Sequence, residues 1–459
     1  MEVVISKELK YLSELFAAEG KKLFAVGGMI RNTLLSLPIS DIDTCSAMLP
    51  EEVIALCHKH GIKVVEKGVK FGTVEIHIGD FATEHTTFRS DTYAGDGAHK
   101  PMGVVFSESL EKDAFRRDFT VNALYFDIEE NKIIDPTGGM YDLEKGLIRA
   151  TSKDPDIILR DDGLRIMRLV RFASELGFDI EEKTLACAKK NVGGLADISS
   201  ERIRDELLKI LMSDVRYGKN TKNGENNVLF GLFLLKDVGA LDIILPEIVK
   251  GKGMVQKPTH HAYDVLDHML HTAACAKPEL SMRMAALLHD VGKPVMLNRT
   301  GKFYNHDIEG EKIAEAVLKR LKCSNEFTQK VCLLVRNHMY DLMGTAKEKT
   351  IRKKFVEIGL EAALELCDIR EADVHGSGII KGEVDTAEKW KKIIKKMQDE
   401  GVPFDEKELE CTGADIMEAL SLPPSKKVGE IKHKLFLHCA LKPQDNKKEI
   451  LLKIVRDFV

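Results

Sequence analysis

The chain lacks several features that mark secreted, membrane-bound or strongly basic proteins. Its nine cysteines are scattered and include no Cys-x-x-Cys pair. That pattern points away from a disulfide framework or a zinc scaffold and toward a reduced cytosolic protein. No apolar run approaches the ~18 residues needed to cross a bilayer. The first 25 residues carry no signal-peptide core. A cytoplasmic location with no membrane partner is therefore expected. Net charge is −5, which argues against an extended basic nucleic-acid tail but leaves room for a local basic groove. There is no exact internal repeat and no low-complexity tract. What remains is 459 residues with 44% hydrophobic and 31% charged content. Such a chain holds two or more globular domains.

Residues 1–146 alternate helical and strand-like patterns, with TVEIHI and FATEHTTF as strands and 51–60 as a helix. A loop at about 90–103 is rich in Gly and Asp, and its length suits mobility. DPTGGMYDLEKG (135–146) is read as a turn cluster closing this part. Helical periodicity then takes over. RDDGLRIMRLVRFASEL is strongly amphipathic, and SSERIRDELLKILM opens with a Ser followed by acids, as a capped helix start does. The expected class is α+β: a mixed sheet with helices over 1–146, then all-α segments at 147–258, 259–380 and 381–459.

The segment LFAVGGMIRNTLLSLPISDIDT combines an apolar strand, Gly27-Gly28, a basic helix start and Asp41-x-Asp43. The glycines allow a tight turn and close backbone approach. A following helix offers N–H groups to a triphosphate, and Arg31 adds charge. Residues two apart in a strand share a face, so Asp41 and Asp43 can present two carboxylates to one hard cation such as Mg²⁺. Alone, these features also describe a strand–turn–helix with a surface acidic pair. Paired Arg116 and Arg117 in RRDFTVNAL, beside an apolar strand, can clamp phosphates bidentately.

VGGxxR, DxD, RRDFTVNAL, DPTGGMYDL, the DDxxRxxRxxRF run and ERIRDELLKIL follow one another in a specific order. In this the chain resembles the bacterial class II tRNA nucleotidyltransferases, the CCA-adding enzymes, and their relatives the bacterial poly(A) polymerases. The resemblance covers about residues 20–245 by motif. It implies a nucleotidyltransferase head, a helical neck and body for nucleotide selection and RNA binding, and a tail reaching along tRNA. By motif match, Asp41 and Asp43 hold the catalytic Mg²⁺ ions, and Gly28, Arg31 and Arg117 contact the triphosphate. Glu84 is a further carboxylate candidate, its alternative being a strand-edge residue near Arg89. Asn122 is a further candidate site residue.

Asp162, Arg165, Arg168 and Arg171 follow at spacings of three, which on one helix places the first three on one face. A carboxylate accepts from an exocyclic amine, and a guanidinium donates to a ring nitrogen. Cytosine and adenine share that donor–acceptor order; uracil and guanine reverse it. The resemblance assigns base choice to Asp162 and Arg165, with Arg168 and Arg171 in support. Ordinary helical salt bridges are the alternative. Three departures stand out: Asn32 where the family has Asp, Asp161 where it has Glu, and His99-Lys100 where an Arg often precedes Pro101. They bear on the switch from C to A, not on the reaction class.

HHAYDVLDHML, AALLHDVGKP, NHDIEG, LLVRNHM and LCDIREADVHG resemble an HD-type metal phosphohydrolase domain. His268, His289, Asp290 and Asp373 form the expected divalent-metal set, and His306 and His338 could serve a second ion. Its activity would be on phosphomonoesters or 2′,3′-cyclic phosphates, or the domain acts as scaffold. In the tail, Lys426, Lys427, Lys432 and Lys434 either touch tRNA phosphates or coat a solvated helix face.

The expected function is a tRNA nucleotidyltransferase that adds or repairs the 3′ CCA end from CTP and ATP. Poly(A), CC-only or A-only addition are same-class alternatives. An HD phosphohydrolase with a nucleotide-sensing module, or a non-catalytic RNA-binding protein, are the different-class ones; intact Asp41, Asp43 and Arg117 speak against the first, and the two carboxylates, which repel phosphates unless a metal is bound, against the second. Oligomeric state is not legible.

Overall fold

The fold is described from a computed structural model of the chain, covering residues 3, 5–39, 41–92, 103–218, 224–259 and 261–457. The chain divides into two compact units, Met1–Pro246 and Glu247–Val459.

The first unit begins with α1 (Lys7–Ala18), whose cap Ser6 Oγ accepts from Leu9 N and whose buried face carries Leu9, Leu12, Leu15 and Phe16. Next come β1 (Phe24–Val26), α2 (Gly28–Leu34), β2 (Asp43–Ser46), α3 (Pro50–Lys59), β3 (Lys63–Val65), β4 (Thr73–Ile78) and β5 (Phe81–Thr87). They are followed by β6 (Arg89–Thr92), β7 (Gly103–Phe106), α4 (Leu110–Arg116), β8 (Tyr125–Asp127) and β9 (Lys132–Ile134). Seven strands form one mixed sheet in the order β3-β4-β5-β2-β1-β8-β9, and β6 and β7 pair separately. Only β2 and β5 run parallel within the seven-stranded sheet. Phe-Ala-Val of β1 is wholly buried because it lies mid-sheet. The β2–β5 pair is pinned by His85, whose ring nitrogens lie 3.2 Å from Thr44 Oγ1 and 3.1 Å from Ser46 Oγ. Burial pushes this imidazole down to about 3, so it is neutral and serves as a structural bridge.

The rest of the unit is mainly helical: α5 (Gly139–Lys145), α6 (Pro155–Asp161), α7 (Leu164–Leu176), α8 (Glu182–Asn191) and α9 (Ser200–Leu211). Three local expectations are corrected. The 135–146 segment is not only turn: Asp135 accepts from Gly138, Gly139 and Met140 N, and these bonds launch α5. The amphipathic run is two helices, because Asp162 is extended (φ −143°, ψ 104°) and ends α6. Ser199 precedes α9 but makes no side-chain cap bond.

The second unit is helical throughout its regular elements. The expected boundary at 258/259 lies inside it. The expected boundary at 380/381 falls within one apolar core, where Ile351, Phe355, Leu366 and Cys367 pack with Trp390, Ile394, Ile431, Leu435 and Leu451. The helix Lys426–Cys439 buries Val428, Ile431, Leu435, Phe436 and Cys439, which turns Lys426, Lys427 and Lys434 to the solvent side. No helix among the described residues is long and apolar enough to cross a membrane. Residues 93–102, including His99 and Lys100, lie outside the described residues.

Candidate functional site

In the first unit, a cavity of about 630 Å³ is bounded by the β1–α2 turn, the start of β2, the end of α4 and the 162–172 segment. Gly27 is one of its lining residues. Its φ of +77° and ψ of −127° suit glycine, and its N–H donates to Leu124 O at 3.0 Å. A Cβ there would sit 4.0 Å from both Arg117 Nη1 and Asp43 Oδ2, so the backbone separates a guanidinium from a carboxylate. The α2 helix has only seven residues, so charge here comes chiefly from side chains rather than from the expected helix dipole.

Arg31 is buried on α2, and its Nη1 donates to Asn122 Oδ1 at 2.5 Å. Its Nε and Nη2 donate to Asn32 Oδ1 at 3.1 and 2.9 Å, and Nη2 reaches Tyr217 Oη at 3.3 Å. Asn32 Nδ2 meanwhile donates to Pro38 O at 2.7 Å. An aspartate could not make that bond, which gives the Asn32 departure a physical reason. Burial pushes the Arg31 guanidinium down, as expected where positive charge awaits an anion.

Asp41 and Asp43 both line the cavity. Only Asp43 belongs to β2; Asp41 lies just before it. Glu84 on β5 is the register partner of Asp43, and partners in register project from the same face. Burial, then Glu84, push the Asp43 carboxyl up to about 6, with Arg117 opposing and Asp41 adding to the rise. Crowded carboxylates of this kind fit a divalent cation, which would relieve their repulsion.

Arg116 and Arg117 close α4 rather than flank a strand. Both pair with buried Asp113: Arg116 Nη2 lies 2.6 Å from Oδ1 and Arg117 Nη2 3.1 Å from Oδ2. Tyr125 Oη donates to the same Oδ2 at 2.7 Å. Burial alone would raise Asp113, but Arg117 and Arg116 outweigh it and hold it below the ordinary range. The pair is thereby aimed and rigid.

Asp162 and Arg165 lie on either side of the α6–α7 break rather than on one helix face. The cavity nevertheless brings Asp162, Arg165, Arg168 and Arg171 together. Asp162 pairs with Arg202 of α9 at 3.2 Å. Arg165 donates to Ile158 O and Arg116 O. Arg168 Nε donates to Asp118 Oδ2 at 2.7 Å. Arg171 Nε lies 2.7 Å from Glu206 Oε2 as an ion pair without hydrogen-bond alignment. Nine basic side chains face four carboxylates around the cavity, an excess that suits a polyanion. Sequence reasoning missed Tyr217, Arg202, Asp118 and Phe172 as lining residues. ERIRDEL, RRDF and the DDxxRxxRxxRF run contained three of them, Arg202, Asp118 and Phe172; nothing local marks Tyr217.

The second unit assembles another centre. His268, His289 and Asp373 form one ligand group, and Asp290, His306 and His338 form another. Asp290 joins them: Oδ2 lies 3.2 Å from His289 Nε2, and Oδ1 lies 3.1 Å from His306 Nε2. Nδ1 of His289, His306 and His338 each sits 2.7 Å from a backbone carbonyl three residues earlier. Donation there turns the Nε2 lone pairs inward. The inward nitrogens meet at 3.1 Å, His268 with His289 and His306 with His338. Facing lone pairs repel unless a proton or metal ion lies between them. Burial pushes His289 down, but Asp290 and Asp373 outweigh it and take it up to about 10. The donor set therefore fits cations, and all six sequence-predicted ligands converge, with Asp290 shared instead of confined to the first set.

The Poly A polymerase head domain family matches residues 23–149. The HD domain family matches 265–375. A family described as the probable RNA- and SrmB-binding site of polymerase A matches 177–216. A CCA-adding enzyme of Ligilactobacillus salivarius is 42% identical over 205 residues, 45% of this chain and 48% of that protein. The match thus spans about half that relative's length. A crystal structure of the Bacillus stearothermophilus CCA-adding enzyme in complex with CTP superposes with a TM-score of 0.70 at 25% identity, covering 98% of this chain and 96% of that one. An A-adding tRNA nucleotidyltransferase of Deinococcus radiodurans is 32% identical over 347 residues, 72% of this chain and 75% of that protein. With that span aligned and the head, RNA-binding and HD matches following in order, this chain belongs to the tRNA nucleotidyltransferase family.

Proposed function

We propose that the chain adds or repairs the 3′ CCA end of tRNA, using CTP and ATP without a nucleic-acid template and releasing pyrophosphate in the cytoplasm. One observation carries this reading: a single cavity is lined by Asp41, Asp43, Asp162 and Arg165 together with seven further arginines. Enzymes of this class use divalent metals. Mg²⁺ held by Asp41 and Asp43, with Glu84 beside them, would supply charge neutralisation at the α-phosphate and activation of the tRNA hydroxyl.

The side chains do the rest. Arg31 and Arg117 bind the triphosphate, each already braced by neighbours, so little ordering is lost when the nucleotide arrives. Gly28 keeps the backbone close, and Asn122 sets the direction of Arg31. Asp162 accepts from the exocyclic amine of cytosine or adenine, and Arg165 donates to the ring nitrogen; Arg168 and Arg171 support this edge. Uracil and guanine would set donor against donor and acceptor against acceptor, at about 1–3 kcal/mol per buried mismatch.

The D. radiodurans relative favours A-only addition as a second reading. Single labelled nucleotides offered to tRNA lacking CCA, ending in C, and ending in CC separate the two. The first reading expects CTP to extend the first two substrates and ATP the third, and expects Asp43→Ala to abolish every addition while tRNA is still bound. Extension of the CC end alone would establish A-only addition. Wild-type incorporation by Asp43→Ala would remove the metal assignment. At the HD centre we infer two divalent ions and hydrolysis of phosphomonoesters or 2′,3′-cyclic phosphates.

A further inference from the structure

Beside the HD centre sit polar groups that the metal ligands do not account for. Gln256 is buried, and its Oε1 accepts from Lys293 Nζ at 2.7 Å. Lys293 Nζ in turn lies 2.5 Å from Asp290 Oδ2. The amide Nε2 of Gln256 has no hydrogen-bond partner. Nor does Nδ1 of His261, whose ring packs edge-on against His268 at 4.6 Å. A buried donor without a partner costs about 1–3 kcal/mol, so such groups persist where a ligand satisfies them.

We infer that Gln256, His261 and Lys293 form the phosphate-recognition wall of the HD centre, which takes a phosphomonoester. The inference rests on the reading of that centre as a metal site. Charge selects the ligand class. Asp290 and Asp373 are the only carboxylates in the two ligand groups. Lys293 and Arg370, whose Nη1 lies 3.0 Å from Asp373 Oδ2, already balance them. Two divalent ions held there would make the balance strongly positive, and a phosphate dianion would offset it better than a neutral or singly charged ligand. Geometry agrees: Gln256 Oε1 holds the ammonium, and the same amide keeps its N–H₂ for a ligand oxygen. The neutral amide adds a directional donor without adding charge, which favours a tetrahedral oxyanion over a bare counter-ion.

The test uses the full chain loaded with Mn²⁺ and titrated with inorganic phosphate by calorimetry, with bound metal counted on the same samples. Gln256→Met and His261→Phe keep bulk and remove the unpaired nitrogens. Each is expected to weaken phosphate binding roughly 10-fold, with metal content, melting temperature and tRNA extension unchanged. Phosphate affinity equal to that of the unaltered protein in both variants, with metal still bound, would overturn the recognition wall and leave the metal centre standing. An unaltered protein that binds no Mn²⁺ would overturn both.

Discussion

Arg31, Arg168 and Arg171 lie 5.1, 5.2 and 4.2 Å from the ring centroid of Phe172. Three like charges around one point repel, and the negative face of the ring offsets part of that cost at about 0.5–2 kcal/mol per contact. Phe172 therefore acts as a positioning residue, tying the arginine of α2 to those of α7. Phe172→Leu keeps apolar bulk but removes the quadrupole. It should raise KM for CTP and ATP together, by about 3- to 10-fold, with kcat and melting temperature little changed. Phe172→Tyr should restore KM. A Leu variant with unaltered KM would reduce the ring to core filling. That Asp41 and Asp43 line one cavity with the glycine turn was legible in the sequence from the order of motifs, since the turn and the acidic pair alone also describe a surface feature. Phe172 was not, because an aromatic on an amphipathic helix reads as ordinary core.

The break between α6 and α7 shows where periodicity misleads. Spacings of three suggested one helix face through Asp162, yet Gly163 lies against the backbone of the Val192–Asp197 turn. A Cβ on Gly163 would come 2.6 Å from Gly194 O. The close approach ends one helix and starts the next, and it turns Asp162 toward Arg202. Gly163→Ala should cost about 1–3 kcal/mol through overpacking, seen as a fall of several degrees in melting temperature. It should also lower the preference for CTP over UTP, because Asp162 moves with the turn. A stabilised variant with unchanged base choice would contradict this. The strands TVEIHI and FATEHTTF and the helix near 51–60 were legible because their patterns are local. The Gly163–Gly194 contact joins segments that are distant in sequence, so no local pattern announces it.

At the scale of the whole chain, the two candidate sites belong to different compact units. His289→Ala should therefore remove at least one bound metal ion and any phosphomonoester hydrolysis while tRNA extension stays within about twofold, since sites without shared partners act additively. Metal analysis and both assays on one preparation test this; equal loss of both activities at unchanged melting temperature would contradict independence. The head, RNA-binding and HD family matches follow the order of the motifs. The reach of the last core was not legible in the sequence, because the residues that build it have no motif. Trp390 is fully buried and packs edge-on to Phe355 at 6.1 Å, with Tyr340 5.8 Å away. The helix Leu360–Gly376, which bears Asp373, sends Ala363, Leu366 and Cys367 into the same core. A protease nick ahead of Asp385 would thus not free a dispensable appendage. It would strip the apolar backing from the helix that carries Asp373, so the last 75 residues act as the rear buttress of the HD centre.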